Sequence, residues 1–273
     1  MSSLPVFTLA DPAAVLWTEH VSGRGAPDVV VVASRPAVEG DTGVQVSAPA
    51  RALADHLAVD LEARLLRAKA TAKAAEVVEL QVDPGAVGDS GTEQLLVVGL
   101  GEGSVRDHRR AGAALARRTR GARSVVVGAT LGADAERLRA FVEGWSLAAY
   151  TFTRKSSPAT TPARTVQLMV DGVTSAREQA LARALVTGRA VHLARDLANT
   201  PSDEKTPRWL ARQAEKATAD GRVKATVRDR ARLEAEGFGG LLAVGSGSAE
   251  PPCLIELRYA PRGLIPEVVK REA

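Results

Sequence analysis

An α/β fold with a largely parallel sheet is what this 273-residue sequence predicts, on three observations. Short β-branched runs alternate with longer amphipathic ones, the pattern of strands joined by crossover helices. The apolar fraction, 45%, is mostly Ala, Val and Leu, with only 3% aromatic residues; small side chains suit helices packed closely on a sheet rather than an aromatic-lined groove. The length exceeds one typical domain and leaves room for two.

The elements follow in order. Asp28–Ser34, DVVVVAS, is short and β-branched, as a buried strand requires. Leu53, Leu57, Leu61 and Leu65 recur every four residues and predict one helix face over about 50–72. EVVELQV reads as a strand, 83–91 as a loop, QLLVVGL as a buried strand, 105–119 as a basic helix, RSVVVGA as a strand and 135–150 as a helix. A polar, proline-rich stretch, 153–165, leads to the short strand TVQLMV and a long helix over about 175–197. Asn199 and Thr200 before Pro201 end that helix. Thr206 as N-cap and Pro207 at the first helical position open another, to about Ala219. A boundary near 170 divides the chain into domains 1–170 and 171–273. In the second, Gly237, Gly239, Gly240, Gly245 and Gly247 bracket LLAV, which reads with CLIELRY as a pair of short strands joined by a glycine turn.

Several chemistries are excluded or weakened. Lys plus Arg exceeds Asp plus Glu by 4, which permits an anionic partner without demanding one. Cys253 is the only cysteine, so no intramolecular disulfide and no cysteine-rich zinc site can form. The start, MSSLPVFTLADPAAVLW, lacks the basic and apolar regions of a secretory signal, and no apolar run approaches the ~20 residues of a membrane span. The expectation is a soluble, cytoplasmic protein with no membrane partner. Gly99, Gly101 and Gly103 follow a strand in G-x-G-x-G spacing with no acidic residue on the next strand, so they read as a tight turn rather than a dinucleotide loop. Gly88–Gly91, GDSG, has no accompanying base and reads as a polar turn. His20, His56, His108 and His192 are scattered without metal-ligand spacing, and His56 and His192 read as surface or boundary residues of helices. Arg106, Arg109, Arg110, Arg117 and Arg120 share one side of the basic helix while Ala111, Ala114 and Leu115 face the sheet. These arginines are the candidate nucleic-acid contacts, with a solvated helix face as the plainer reading.

Three segments together resemble the leucyl aminopeptidase family of dimetal cytosol aminopeptidases: ARDLANTPSDEKTPRWLARQAE, GFGGLLAVGSGSAEPPCLIELRY and LLVVGLGEG. Arg195, Asp196, Asn199, Thr200 and Pro201 match a helix-ending R-D-x-x-N-T-P element, Thr206 and Pro207 the start of the next helix, and Gly237 through Leu254 a glycine-rich element. The resemblance implies an N-terminal macro-like three-layer α/β/α domain followed by an incomplete α/β catalytic domain. It implies removal of N-terminal residues from peptides by two divalent metals, zinc or manganese, in a hexamer. The family's G-K-G-x-x-[FY]-D-[ST]-G-G and N-T-D-A-E-G-R segments, which supply its metal ligands and catalytic residues, do not occur here; after Gly263 the sequence reads LIPEVVKREA. The expectation is therefore a truncated chain, inactive alone, with no catalytic or metal residue and no cofactor of its own. Asp196 is expected to pair or cap near its helix end. The expected partners are copies of the chain or a full-length relative, peptides only if the catalytic half is supplied, and DNA as the alternative.

Overall fold

The computed structural model describes residues 4–11, 26–37, 43–83, 91–128, 133–155 and 160–259. Its elements are β1 (Val6–Ala10), β2 (Val29–Pro36), β3 (Val44–Val46), α1 (Ala48–His56), α2 (Leu61–Arg67), β4 (Val77–Gln81), β5 (Gln94–Gly99), α3 (Val105–Arg118), β6 (Ser124–Val127), α4 (Ala135–Ala148), β7 (Thr165–Met169) and α5 (Ser175–Asn199). Then follow α6 (Pro207–Ala217), β8 (Val223–Arg228), α7 (Arg230–Ala235), α8 (Gly239–Gly245) and β9 (Leu254–Tyr259). The chain divides into two compact units, 1–196 and 197–273.

In the first unit the sheet runs β1-β7-β6-β2-β5-β4, with β3 on β2. β1, β7, β6, β2 and β5 are parallel; β4 is antiparallel to β5 and β3 to β2. The period of two along β2 sorts its side chains between two cores. Val29, Val31 and Ala33 join Leu115, Phe141 and Trp145 on the side of α3, α4 and α5. Val30 and Val32 join Leu53, Leu57, Leu61 and Leu65 on the side of α1 and α2. A sheet buried on both faces needs continuous rather than alternating apolar runs, which is what DVVVVAS and QLLVVGL supply.

Two expectations are corrected. The leucine-spaced stretch is two helices, not one. Val59 N–H donates to the Ala54 carbonyl (2.8 Å) and Ala58 N–H to that of Asp55 (3.0 Å), with Ala58 left-handed at φ 51°. This is a Schellman closure, and Asp60 then caps the next helix by accepting from Ala63 N–H at 3.1 Å. All four leucines remain buried because both helices face the same core. The second correction concerns LLAV, which lies in helix α8 and not in a strand. Gly237, at φ 79°, closes α7 in the same manner: its N–H reaches the Glu234 carbonyl and that of Phe238 the Leu233 carbonyl. The strand partner of β9 is instead β8, antiparallel, from Val223↔Tyr259 to Arg228↔Leu254.

The expected boundary near 170 falls before α5, whereas packing groups that helix through Asp196 with the first unit, where Ala180, Ala184, Gly188 and His192 are buried. In the second unit, Thr206 caps α6 by accepting from Trp209 N–H at 3.1 Å, with Pro207 following as expected. Only Ala211 and Leu233 of this unit are fully buried among the described residues. Its charged network is more extensive: Arg228 bonds Glu236 and Glu256, Arg232 bonds Glu236, and Arg258 bonds Glu256. These arginines hold both carboxyls below the usual range, Arg232 contributing most at Glu236 and Arg228 at Glu256.

Candidate functional site

The basic helix forms where expected. Ser104 and Asp107 build a capping box at its start, and His108, Ala111, Gly112, Leu115 and Ala116 turn inward, with Ala114 half-buried. Arg106, Arg109, Arg110, Arg117 and Arg120 are all exposed, but they do not form one uniform face. Arg109 donates to the buried carboxylate of Glu143 (2.8 Å), which also accepts from Arg139 (2.7 Å). Arg120 reaches the Ala148 carbonyl (3.4 Å) and Arg117 the Ala113 carbonyl within its own helix (3.2 Å). Arg109 and Arg120 are thus engaged with α4. This follows from backbone contact between the helices: a Cβ on Gly112 would lie 2.1 Å from the Phe141 carbonyl oxygen, and one on Gly144 2.0 Å from that of Arg109.

The turn Gly99–Ser104 spends its backbone donors internally. Leu100 N–H donates to Ser34, Gly101 to Ala72 and Gly103 to Leu100, while Ser104 N–H binds Asp107. A phosphate cradle needs such donors free, so the turn serves the strand-to-helix connection. Gly101 and Gly103 occupy left-handed backbone at φ 54° and 74°. Arg137 Nε clamps the Gly103 carbonyl at 2.8 Å. Beneath it His108 is buried, its Nδ1 2.9 Å from the Ser104 carbonyl, so Nδ1 carries the proton and Nε2 is the acceptor; Nε2 has no hydrogen-bond partner among the described residues. Burial pushes the His108 pKa down, the Ser104 contact opposes this, and Arg137 and Arg35 push it further down.

At the other end of the first unit, the R-D-x-x-N-T-P segment sits on the last turns of α5. His192 is buried rather than at the surface, correcting the sequence reading: its Nε2 lies 2.8 Å from the Ser146 carbonyl and Tyr150 meets its ring edge-on at 5.0 Å. Arg195 stacks over Tyr150 at 5.3 Å and donates to the Leu147 carbonyl, and Asp196 accepts from the Tyr150 hydroxyl at 3.1 Å. The signal for this cluster was the motif itself; its partners on α4 and at Tyr150 lie about 45 residues away and have no local signature. A groove of ≈380 Å³ opens beside it, between Leu4–Phe7 and Leu185, Arg189, His192, Leu193 and Asp196.

In the second unit, a concavity of ≈450 Å³ is lined by Arg208, Arg212 and Arg230 with Glu215, Asp229 and Cys253. The Cys253 thiol lies 3.3 Å from the Pro207 carbonyl, and burial pushes its pKa up. No group of three or more His, Cys, Asp or Glu side chains is placed to hold a metal ion among the described residues, so a two-metal centre does not fit the side chains described. His20, Gly88–Ser90 and the segment 260–273 lie outside the described residues, and no described helix is long and apolar enough to cross a membrane.

The sequence pattern of the cytosol aminopeptidase family's N-terminal domain matches residues 29–158, and that of its catalytic domain matches 192–269. A probable cytosol aminopeptidase of Leifsonia xyli subsp. xyli is 34% identical over 256 residues, covering 93% of this chain and 48% of that protein. One from Nocardia farcinica is 35% identical over 223 residues, covering 78% and 43%. The chain spans about half the length of these curated relatives. Among solved structures, the bottromycin maturation enzyme BotP in complex with Mn aligns with TM-score 0.64 and 29% identity over 87% of this chain and 46% of that one. A tomato leucine aminopeptidase mutant aligns with TM-score 0.73 over 96% and 52%; at 22% identity it speaks for the fold alone.

Proposed function

The chain belongs to the cytosol aminopeptidase family, and we propose that it is the N-terminal part of a metal-dependent enzyme that removes N-terminal residues from peptides. Residues 1–170 are the family's N-terminal domain, and 171–273 a linker helix and the beginning of the peptidase domain. The observation that carries this reading is the order of the two family matches along one chain, supported by 34% identity across 93% of it. Two divalent ions would supply Lewis-acid activation of a water and of the peptide carbonyl in such chemistry; manganese is favoured by the BotP complex, with zinc as the other candidate. In this reading the residues that hold these ions belong to the catalytic half, and the 273 residues alone are inactive on peptides. The assembly is a homo-oligomer, a hexamer by family resemblance, located in the cytoplasm. The test is hydrolysis of a leucine chromogenic substrate with added manganese: no turnover is expected from the purified chain, and robust turnover would sink the reading.

A second reading is carried by the arginines that remain outward on α3. Arg106, Arg110 and Arg117 are exposed, and Arg117 bonds only within its own helix among the described residues; they would neutralise backbone phosphates of DNA. A salt-dependent gel shift is expected, abolished by reversing these three to Glu. Arg109 is excluded from that variant because Glu143 holds it. A shift that persists in the variant removes the assignment.

A further inference from the structure

β9 is an edge strand among the described residues: it pairs with β8 and with no other strand. An unpaired edge offers a row of backbone donors and acceptors to another extended chain. A two-stranded sheet is marginal by itself, whereas three or more strands with an apolar face support one another. The period of two divides β9 into two rows. Ile255, Leu257 and Tyr259 share the face on which β8 sets Val227, Ala225 and Val223. Leu254, Glu256 and Arg258 share the other, with Arg228, Thr226 and Lys224. Leu257 and Tyr259 are both more than half exposed.

The order of residues along β9 is complementary to itself. Laid antiparallel against a second copy with Leu257 opposite Leu257, the strand sets Ile255 opposite Tyr259 at both ends of the apolar row. The same register sets Glu256 opposite Arg258 twice in the charged row. Aromatic with β-branched and positive with negative are the stabilising cross-strand pairs. Other registers lose this match. Centring on Glu256 or on Arg258 puts like charges directly opposite, and a one-residue slip sets the apolar row of one copy against the charged row of the other. Arg258 is exposed and bonds the Glu256 carboxylate of its own strand. Pairing therefore exchanges that carboxylate for its equivalent in the second copy and leaves the Arg228–Glu256 bond in place. The other edge differs: β8 carries Lys224 and Arg228 and no acidic side chain, so a copy laid there finds no charge match.

We propose that β9 is the surface through which two copies of this chain pair, edge to edge and antiparallel about Leu257, building one four-stranded sheet in the order β8-β9-β9-β8. Both copies use the same edge, so the contact closes at the dimer. The assignment does not rest on the aminopeptidase reading, and it is tested without turnover. Sedimentation of the full chain should show a concentration-dependent dimer, and hydrogen exchange at the β9 amides should slow as concentration rises. Arg258→Glu puts a second carboxylate opposite Glu256 and should raise the dimer dissociation constant about tenfold or more. Glu256→Arg puts a second guanidinium opposite Arg258 and should do the same. Mixed in equal amounts, the two variants recover both opposite-charge pairs, so a heterodimer should form where neither homodimer does. Leu257→Glu sets two carboxylates at the two-fold axis and should also disperse the dimer. If Glu256→Arg, which removes the Arg228 bond, fails to fold, Arg258→Glu and Leu257→Glu decide the matter. A chain that stays monomeric up to millimolar concentration would overturn the proposal. So would an assembly indifferent to Arg258→Glu and Leu257→Glu, two folded variants that do not pair on mixing, or β9 protection that does not change with concentration.

Discussion

Ala58 and Lys69 each hold left-handed backbone one position past a helix C-cap, at φ 51° and 50°, where glycine is the residue of least steric cost. Ala58→Gly relieves a strain of ~1–2 kcal/mol in the folded chain and gives back part of it through a freer unfolded chain. The expected net is a gain of about 0.5–1 kcal/mol, seen as a higher urea midpoint; a lower one would assign the Ala58 methyl a packing role. Here the sequence was legible in one respect only. A four-residue leucine repeat reports which side chains are buried, and it survives a break because Leu57 and Leu61 reach the same core from different helices. The break had a signal, Asp60 ahead of Leu61, of the kind that caps a new helix. His108 gives a second prediction at this scale. Its folded pKa lies below the unfolded value of ~6.5, so as pH falls the unfolded chain takes up the proton first. Stability is then full above about 6.5 and declines below it until the folded imidazole also protonates. Urea unfolding of His108→Gln across that window should lose the decline; an unchanged decline would assign it to other groups.

Among the elements, α3 and α4 approach to backbone contact at Gly112 and Gly144. Gly112→Ala puts a methyl 2.1 Å from the Phe141 carbonyl oxygen, which cannot swing aside as a side chain would. The helices must separate, at an expected cost of about 1–3 kcal/mol or more, measured as a lower urea midpoint. Gly240→Ala is the control: it is also helical, its Cβ meets open space, and it should be neutral or stabilising by up to ~1 kcal/mol. Equal effects would mean that helix propensity, not contact, governs both. Composition cannot distinguish these glycines, since the difference lies in what sits opposite. The same limit applied to the arginine face. Spacing placed α3 and its charges well, but the claim of Glu143 on Arg109 comes from a different helix. Short apolar runs between glycines carry no decisive period, which is why LLAV read as a strand while VKATVR, the true partner of β9, went unread.

The whole molecule joins a double-faced, fully packed sheet to a smaller unit with little core. In the second unit Leu241, Val244, Leu257 and Tyr259 are 41%, 89%, 56% and 69% exposed, and its sheet has two strands among the described residues, an arrangement marginal by itself. Amides of β9 should therefore exchange much faster than those of β2 in the isolated monomer; equal protection would show that the exposed face is covered. The fold class was legible because alternating elements and two-sided apolar strands are repeated signals. The groove beside α5 was not, because it joins the first strand to a helix nearly the length of the unit away. β2 holds the deepest consequence. Odd and even valines answer to different cores, so the strand is common property of two packing problems. Natural drift or laboratory selection that remodels one helical layer has no private copy of that wall to edit. Each accepted change in β2 must satisfy neighbours on both sides at once, so the two layers should diversify around a strand that changes slowest.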